Sequence, residues 1–283
     1  MPISEIGSLE KLTAHLNDDN LVQYQLPLAA IEDQSQAQSI ELNPLIGQTI
    51  SLHFSGKIAC KHCGKGTKKS YSQGFCYPCM TKLAQCDMCI MKPETCHHHL
   101  GTCREPSWGE KHCMVDHYVY LANSSGLKVG ITRHTQIPTR WIDQGATQAL
   151  PIFKVSSRLQ SGLVETALAE FISDKTNWRA MLKGVAEPLD LNTIADELVP
   201  KIADKLAELQ LKFGEDAIQR LDEELINISY PVEQYLSKIS SFNFDKTPVV
   251  TGKLVGIKGQ YLIFDSGVIN MRKFSSYQIS IEY

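Results

Sequence analysis

The sequence predicts an α+β protein assembled from several small modules, on three observations. Two Cys-x-x-Cys pairs, Cys60-Lys-His-Cys63 and Cys76-Tyr-Pro-Cys79, stand twelve residues apart. Short runs of alternating apolar and polar residues, the pattern of half-buried strands, flank the Cys-rich region and return near the C-terminus. Between residues 189 and 225 apolar residues recur every third or fourth position, the period of an amphipathic helix. At 283 residues the chain is long enough for two domains of ordinary size. The expected order is N-terminal strands over 1–56, a zinc-ribbon-like module over 57–115, a small mixed α/β domain over 116–182, a helical segment over 186–228 and C-terminal strands over 248–283.

Each element has a local reason. Thr49-Ile50-Ser51-Leu52-His53-Phe54 alternates after the turn-prone Asn43-Pro44 and Gly47. Strands are expected at 249–255, 260–264 and 268–271, punctuated by Gly252, Gly256, Gly259 and the turn Asp265-Ser266-Gly267. Three such strands would leave an open edge, and the strand near residue 50 has no local partner. The two ends of the chain are therefore expected to pair into one small β-barrel, with the zinc and hairpin regions inserted in it. A helix is expected over 163–172. Ile194, Leu198, Ile202, Leu206, Leu209 and Phe213 mark a packing face in the acidic region, with Gly214 dividing two helices.

No window approaches eighteen consecutive apolar residues, and the start MPISEIGSLEKLTAHLNDDN is acidic and polar where a signal peptide is basic and then apolar. A soluble, cytoplasmic protein with no membrane partner is expected. The net charge of -3 hides opposed regions: residues 57–140 carry twelve Lys or Arg against five Asp or Glu, a formal +7.

Nine cysteines in an unexported chain are expected to be reduced, so metal explains their pairing better than disulfides. Each Cys-x-x-Cys can form a tight turn that points two thiolates at one ion. Cys60, Cys63, Cys76 and Cys79 thus form one expected structural zinc site. Cys86-Asp-Met-Cys89 supplies half of a second, completed by Cys103 and Cys113, because Gly101-Thr-Cys103 and the Trp108-Gly109 turn can fold that loop back; Cys96 is the alternative. Sites of four thiolates leave no open position for substrate, so both zinc ions are structural. Two such sites, each of net -2, reduce the +7 to about +3. Lys57, Lys61, Lys65, Lys68 and Lys69, with Tyr71 and Phe75, offer a phosphate-tracking face with aromatic stacking; Lys68 and Lys69 are the expected nucleic-acid contacts there.

The stretch YVYLANSSGLKVGITR, residues 118–133, reads as a hairpin. Alternation puts Tyr118, Tyr120 and Ala122 on one face, with Lys128, Gly130 and Thr132 on the same face of the return strand. Matching the apolar faces requires an odd-length connection, with Tyr120 across from Lys128.

The continuation resembles the GIY-YIG endonuclease superfamily. Tyr118-Val119-Tyr120 is similar to its first motif, and Lys128-Val129-Gly130 with Ile131-Thr132 to its second, with lysine where the second motif usually begins with tyrosine. Arg140, in Pro138-Thr-Arg-Trp-Ile142, matches the arginine of the following helix, and Glu165, in Gly162-Leu-Val-Glu-Thr-Ala167, the glutamate of a later one. Asn177 stands where such domains often have a final polar residue. The likeness covers residues 116–182, and the whole arrangement, cysteines first, also resembles a bacterial family of unassigned function. Helical phase leaves Glu165 and Glu170 equally far from the apolar centre, so only the resemblance selects Glu165.

The resemblance implies catalysis by Tyr120, Lys128, Arg140 and Glu165, with Glu165 holding magnesium or manganese, and nucleic-acid contacts at Gly130, Arg133, His134 and Asn177. Phosphodiester cleavage suits these types: a carboxylate for the ion, a guanidinium for phosphoryl oxygens, and a phenol to orient or deprotonate water. Lysine can act as a base only if burial or nearby positive charge depresses its pKa; otherwise it binds phosphate as a cation. The expected function is a zinc-containing, metal-dependent nuclease or nicking enzyme acting on DNA or RNA. The alternatives are a nucleic-acid-binding protein that has lost turnover, or a zinc-scaffolded protein-interaction factor using the acidic helices.

Overall fold

The computed structural model describes residues 3–31 and 36–283; residues 1–2 and 32–35 of the expected N-terminal segment lie outside them. Two compact units result, one from 1–81, 182–184 and 228–283, the other from 82–181 and 185–227. Both are mixed in composition, with antiparallel sheets and short helices.

The first unit holds a nine-stranded antiparallel sheet among the described residues. At its centre Thr49–Ile58 pairs with Val249–Lys258 on one side, Ser51 opposite Thr251, and with Tyr277–Glu282 on the other, Leu52 opposite Ile281. The path continues through Ser4–Leu9 to Val22–Ala29 and Thr13–Leu16, and at the far end through Tyr261–Phe264 to Gly267–Asn270. No ladder among the described residues joins the two ends of this path. The sheet is a curled half-barrel, where the sequence suggested a closed barrel. Gly7 permits part of the curl, since a Cβ there would lie 2.6 Å from the Cβ of Leu28 on the crossing strand.

Alternation explains the burial. Val22, Tyr24, Leu26 and Leu28 are buried while the residues between them are half-buried. They share the core with Leu52, Leu254, Phe264 and a ring cluster of Phe244, Phe274 and Tyr277. The strands Val22–Ala29 and Tyr277–Glu282, absent from the sequence expectations, carry a legible signal in Val22-Gln-Tyr-Gln-Leu26 and Tyr277-Gln-Ile-Ser-Ile281. Residues 182–184 join this unit partly through Lys258, fully buried between the rings of Tyr230 and Tyr235, whose Nζ donates to the Gly184 carbonyl at 2.9 Å.

In the second unit His117–Asn123 lies between Leu127–Arg133 and Gln148–Val155, and the last also pairs with Ile218–Arg220 and Ile226–Asn227. The helix Arg158–Ala169, N-capped by Ser157, packs on this sheet through Val164, Ala167 and Leu168. Gly162 sits against the 3-10 turn Pro93–Thr95 so closely that a Cβ would strike the Glu94 backbone. The acidic region differs from expectation. Leu191–Leu198 and Ala203–Phe213 are separated by a 3-10 turn at Pro200, not at Gly214, after which the chain forms another 3-10 turn and a strand. Proline removes the N–H the helix ladder needs. Leu191, Ala195, Leu198, Ile202 and Leu209 enter the core of this unit, so the apolar face of these helices is already covered.

Candidate functional site

In the first unit the strand Thr49–Ile58 delivers Cys60 to a short turn, where the Gly64 N–H donates to the Cys60 carbonyl at 2.8 Å and Gly64 adopts a φ of 72°. The chain returns through a bridge between Tyr71 and Phe75, which puts Cys76 just before the helix Tyr77–Lys82 that carries Cys79. The four sulfurs of Cys60, Cys63, Cys76 and Cys79 all lie within 4.8 Å of one another, and the Cys63 and Cys76 sulfurs are 3.7 Å apart. A tetrahedron with Zn–S bonds of about 2.3 Å has edges of about 3.8 Å, so this set can hold one structural zinc. Ala59 N–H donating to the Ser276 carbonyl and Ser70 Oγ to that of Ser275 tie the loop to the C-terminal segment.

The lysine face around it is only partly as expected. Lys68 and Lys69 are exposed, but Phe75 is buried beneath Lys61, whose Nζ lies 4.3 Å from the ring centroid, and so offers no stacking surface. A cleft of about 890 Å³ in this unit is lined by Lys57, Lys61 and Arg272, and none of Tyr120, Lys128, Arg140 or Glu165 borders it.

Those four residues gather in the second unit. Tyr120 comes from the central strand, Lys128 from its neighbour, Arg140 from the helix Thr139–Asp143 and Glu165 from Arg158–Ala169. Gln144, at the end of the helix Thr139–Asp143, joins two of them: its Oε1 accepts from Lys128 Nζ at 2.6 Å and its Nε2 donates to Tyr120 Oη at 2.7 Å. The register differs from expectation. Tyr120 lies opposite Gly130, and Lys128 opposite Ala122, because the three-residue connection 124–126 closes on Gly126 at a φ of 126°. The shared face survives a two-residue shift, so phenol and ammonium still point to the same side.

Burial sets the chemistry. Burial pushes the Lys128 ammonium down to about 8, with Arg140 adding to the shift. Burial likewise pushes the Glu165 carboxyl up to about 7, with Asp174 and Glu94 adding to it, against the opposing pull of Lys128 and Arg140. Tyr120 is fully buried, and its hydroxyl is pushed up by that burial although Arg140 and Gln144 lower it. A phenol so placed does not deprotonate water near neutral pH; it can only position Gln144 and Arg140. Gly130 is correspondingly no contact for nucleic acid, because the Tyr120 ring fills the space its missing side chain leaves. A Cβ at Gly130 would lie 2.6 Å from Tyr120 Oη, so Gly130→Ala is expected to cost about 1–3 kcal/mol by urea unfolding and to displace the phenol.

A family model described as a protein of unknown function (DUF2797) matches residues 47–279. The chain belongs to the DUF2797 family. The matched span of this DUF2797 chain includes both the four-cysteine cluster and the Tyr120 cluster. No curated protein and no solved structure matches the chain.

Elsewhere in this DUF2797 chain the expected contacts scatter. Arg133 is half-buried near Arg158, and His134 is exposed at the start of a 3-10 turn. Asn177 is exposed, with its Oδ1 accepting from the Ala180 N–H at the start of Trp178–Met181, a capping role. Among the remaining cysteines, Cys89, Cys96 and Cys113 form a buried cluster. Cys103 borders the same cavity and Cys86 does not, so Cys96 occupies the place expected of Cys86. The spacing Cys86-x-x-Cys89 suggested a pair; Cys86 ends the 3-10 turn Ala84–Cys86 half-buried, and Cys89 lies buried within the turn Met88–Ile90.

Proposed function

We propose that the second unit hydrolyses phosphodiester bonds of nucleic acid as a metal-dependent nuclease or nicking enzyme, with Lys128, Arg140 and Glu165 around the reacting phosphate and Tyr120 acting through Gln144. One observation supports this reading above the rest. An ammonium, a guanidinium and a carboxylate from three separate elements are charge neighbours, and burial has moved the acid and the base toward neutral pH.

Glu165 suits magnesium or manganese, as a single carboxylate that leaves most of the coordination sphere to water and phosphate oxygen. Such an ion, when bound, supplies charge neutralisation on the phosphoryl oxygens and a more acidic water. Arg140 presents a forked donor to two phosphoryl oxygens. Lys128 donates one N–H to Gln144, and its neutral form keeps a lone pair able to accept a proton from water. Gln144 fixes that amine and the Tyr120 hydroxyl together. The lysine at the head of the second motif also favours a second reading, nucleic-acid binding without turnover, in which Lys128 remains a phosphate-binding cation.

The test is cleavage of mixed DNA and RNA with magnesium or manganese. Wild type is expected to cut, and Arg140→Ala to cut about 100-fold more slowly or worse. If neither cuts yet both shift a labelled oligonucleotide in a salt-dependent manner, the binding reading replaces the enzyme. If neither binds, a protein-interaction role through the acidic outer face of 191–213 gains.

A further inference from the structure

We propose that a second zinc ion is held by Cys89, Cys96, Cys113 and Nε2 of His97, and that it anchors the helix carrying Glu165. The three thiols are buried together, covered by Trp108 and Leu159, and none of them forms a disulfide. They come from a stretch of single 3-10 turns, Ala84–Cys86, Met88–Ile90, Pro93–Thr95 and His98–Leu100, followed by the short helix Pro106–His112. Met88, Met91, Leu100 and Met114 of this stretch are exposed and only Trp108 among its rings packs on the thiols, so the segment has little core of its own. Short irregular segments of this kind hold a shape when a metal cross-links them.

The fourth donor follows from hydrogen bonding. The Nδ1 of His97 lies 2.7 Å from Thr102 Oγ1, the outer tie that orients a ligating imidazole and leaves Nε2 for the ion. Asp87, Cys89 and His97 place a ligand atom each within 4.8 Å of one another. Asp87 is already paired, with Oδ2 2.6 Å from Arg104 Nε and Oδ1 accepting from the Cys89 N–H at 3.3 Å, and that same Oδ2 lies 3.7 Å from His97 Nε2 as its outer neighbour. Cys103 is set aside because it is half-buried and lies outside the buried cluster of Cys89, Cys96 and Cys113, with its Sγ 3.5 Å from the Glu105 carbonyl. Three thiolates and a neutral imidazole around Zn²⁺ carry a net -1, and Arg158 is a charge neighbour of all three cysteines.

Arg158 is also the mechanical link. Its N–H donates to the Cys113 carbonyl at 2.8 Å, its Nη2 to Ile90 at 2.7 Å and its Nε to Cys89 at 3.2 Å. One turn later Gly162 meets the Glu94 backbone. The ligand-bearing turns therefore clamp the first two turns of Arg158–Ala169, and Glu165 projects from the next. The significance of holding Glu165 rests on the proposed nuclease reading; the zinc site does not.

Elemental analysis of the full chain is expected to give two zinc ions, falling to one in Cys96→Ser and in Cys113→Ser and staying at two in Cys103→Ser. Hydrogen exchange of the 158–169 amides is expected to accelerate at least tenfold in Cys96→Ser. Cobalt(II) loaded into Cys76→Ser reports on the second site alone, and thiolate-to-cobalt absorption is expected there even if the cysteine variants of that site fail to fold. One zinc in wild type with no cobalt–thiolate band in Cys76→Ser, or a second zinc that survives Cys96→Ser, overturns the site. Loss of the second zinc in Cys103→Ser but not in His97→Ala overturns the assignment of His97. Unchanged exchange across 158–169 after zinc loss overturns the anchoring. Absence of cleavage with these results intact counts against the nuclease reading alone.

Discussion

Glu165→Gln is expected to abolish metal-dependent cleavage, by about 1000-fold or more, while making the metal-free protein more stable above pH 7. The amide keeps the shape and loses the charge that would hold a divalent ion beside the phosphate. The stability effect has the opposite sign because the fold disfavours the carboxylate. With the folded pKa raised to about 7 from 4.5, the protein holds a proton that the unfolded chain has released between those two values. Stability from this group is therefore full below pH 4.5, declines as pH rises, and is gone above pH 7. The difference amounts to about 3.5 kcal/mol at most, since each unit is about 1.4 kcal/mol, and the opposing pull of Lys128 and Arg140 is already contained in the raised value. Urea unfolding of both proteins at pH 5 and pH 8 measures it. A variant that loses cleavage and gains stability at pH 8 has lost a working group; one that loses both has lost a structural ion pair. The cleavage rate of wild type is expected to rise with pH through about 7 as Glu165 ionises, and to keep rising through about 8 if Lys128 accepts the proton. A fall above 8 assigns Lys128 to cation duty instead.

What the sequence made legible depended on how local each signal was. The two Cys-x-x-Cys pairs specify their own turns, so spacing alone brings four sulfurs together. The second set draws on residues 24 positions apart across several 3-10 turns, and no spacing distinguishes Cys86 from Cys96 when the turns between them are irregular. Parity of the hairpin was readable because faces alternate strictly. Register was not, because Asn123-Ser124-Ser125-Gly126 permits closure centred on more than one residue, and only the positive φ of Gly126 decides it.

Gln144 shows a different limit. A glutamine beside Gly145 reads as an ordinary helix end, and nothing in its neighbours announces that its amide bridges a lysine and a tyrosine. The same holds for the depth of Tyr120. Alternation assigned its face but not what covers that face, and it is the packing of Trp141 and the bare Gly130 beneath the ring that turn a possible base into a fixed phenol. Proline gave the opposite lesson in the helical region, where an apolar period of three to four ran unbroken through Pro200 and concealed the break that its missing N–H enforces.

Cys76→Ser is expected to remove one zinc per chain and to release the loop 60–79 while leaving the half-barrel folded. The loop has one large buried side chain, Phe75, and a few hydrogen bonds with the C-terminal segment, from Ala59 and Ser70, from Ser276 Oγ to the Gly74 carbonyl and from Arg272 Nε to Gln73 Oε1. That is too little to offset the conformational entropy of ordering twenty residues. Structural zinc contributes about 10–16 kcal/mol in small thiolate sites, enough to decide whether such a loop is ordered. The half-barrel has an independent source of stability in its core of Leu26, Leu52, Leu254, Phe264 and Phe274 and in ladders that do not pass through the loop. Hydrogen exchange should therefore show amides of 60–79 losing protection by about 100-fold or more, with those of Val22–Ala29 and Tyr261–Phe264 little changed. Chelation of wild type should reproduce the pattern at the loop. Protection of 60–79 that survives both treatments would mean the four sulfurs are held by the polypeptide, and that their tetrahedral spacing owes nothing to a metal.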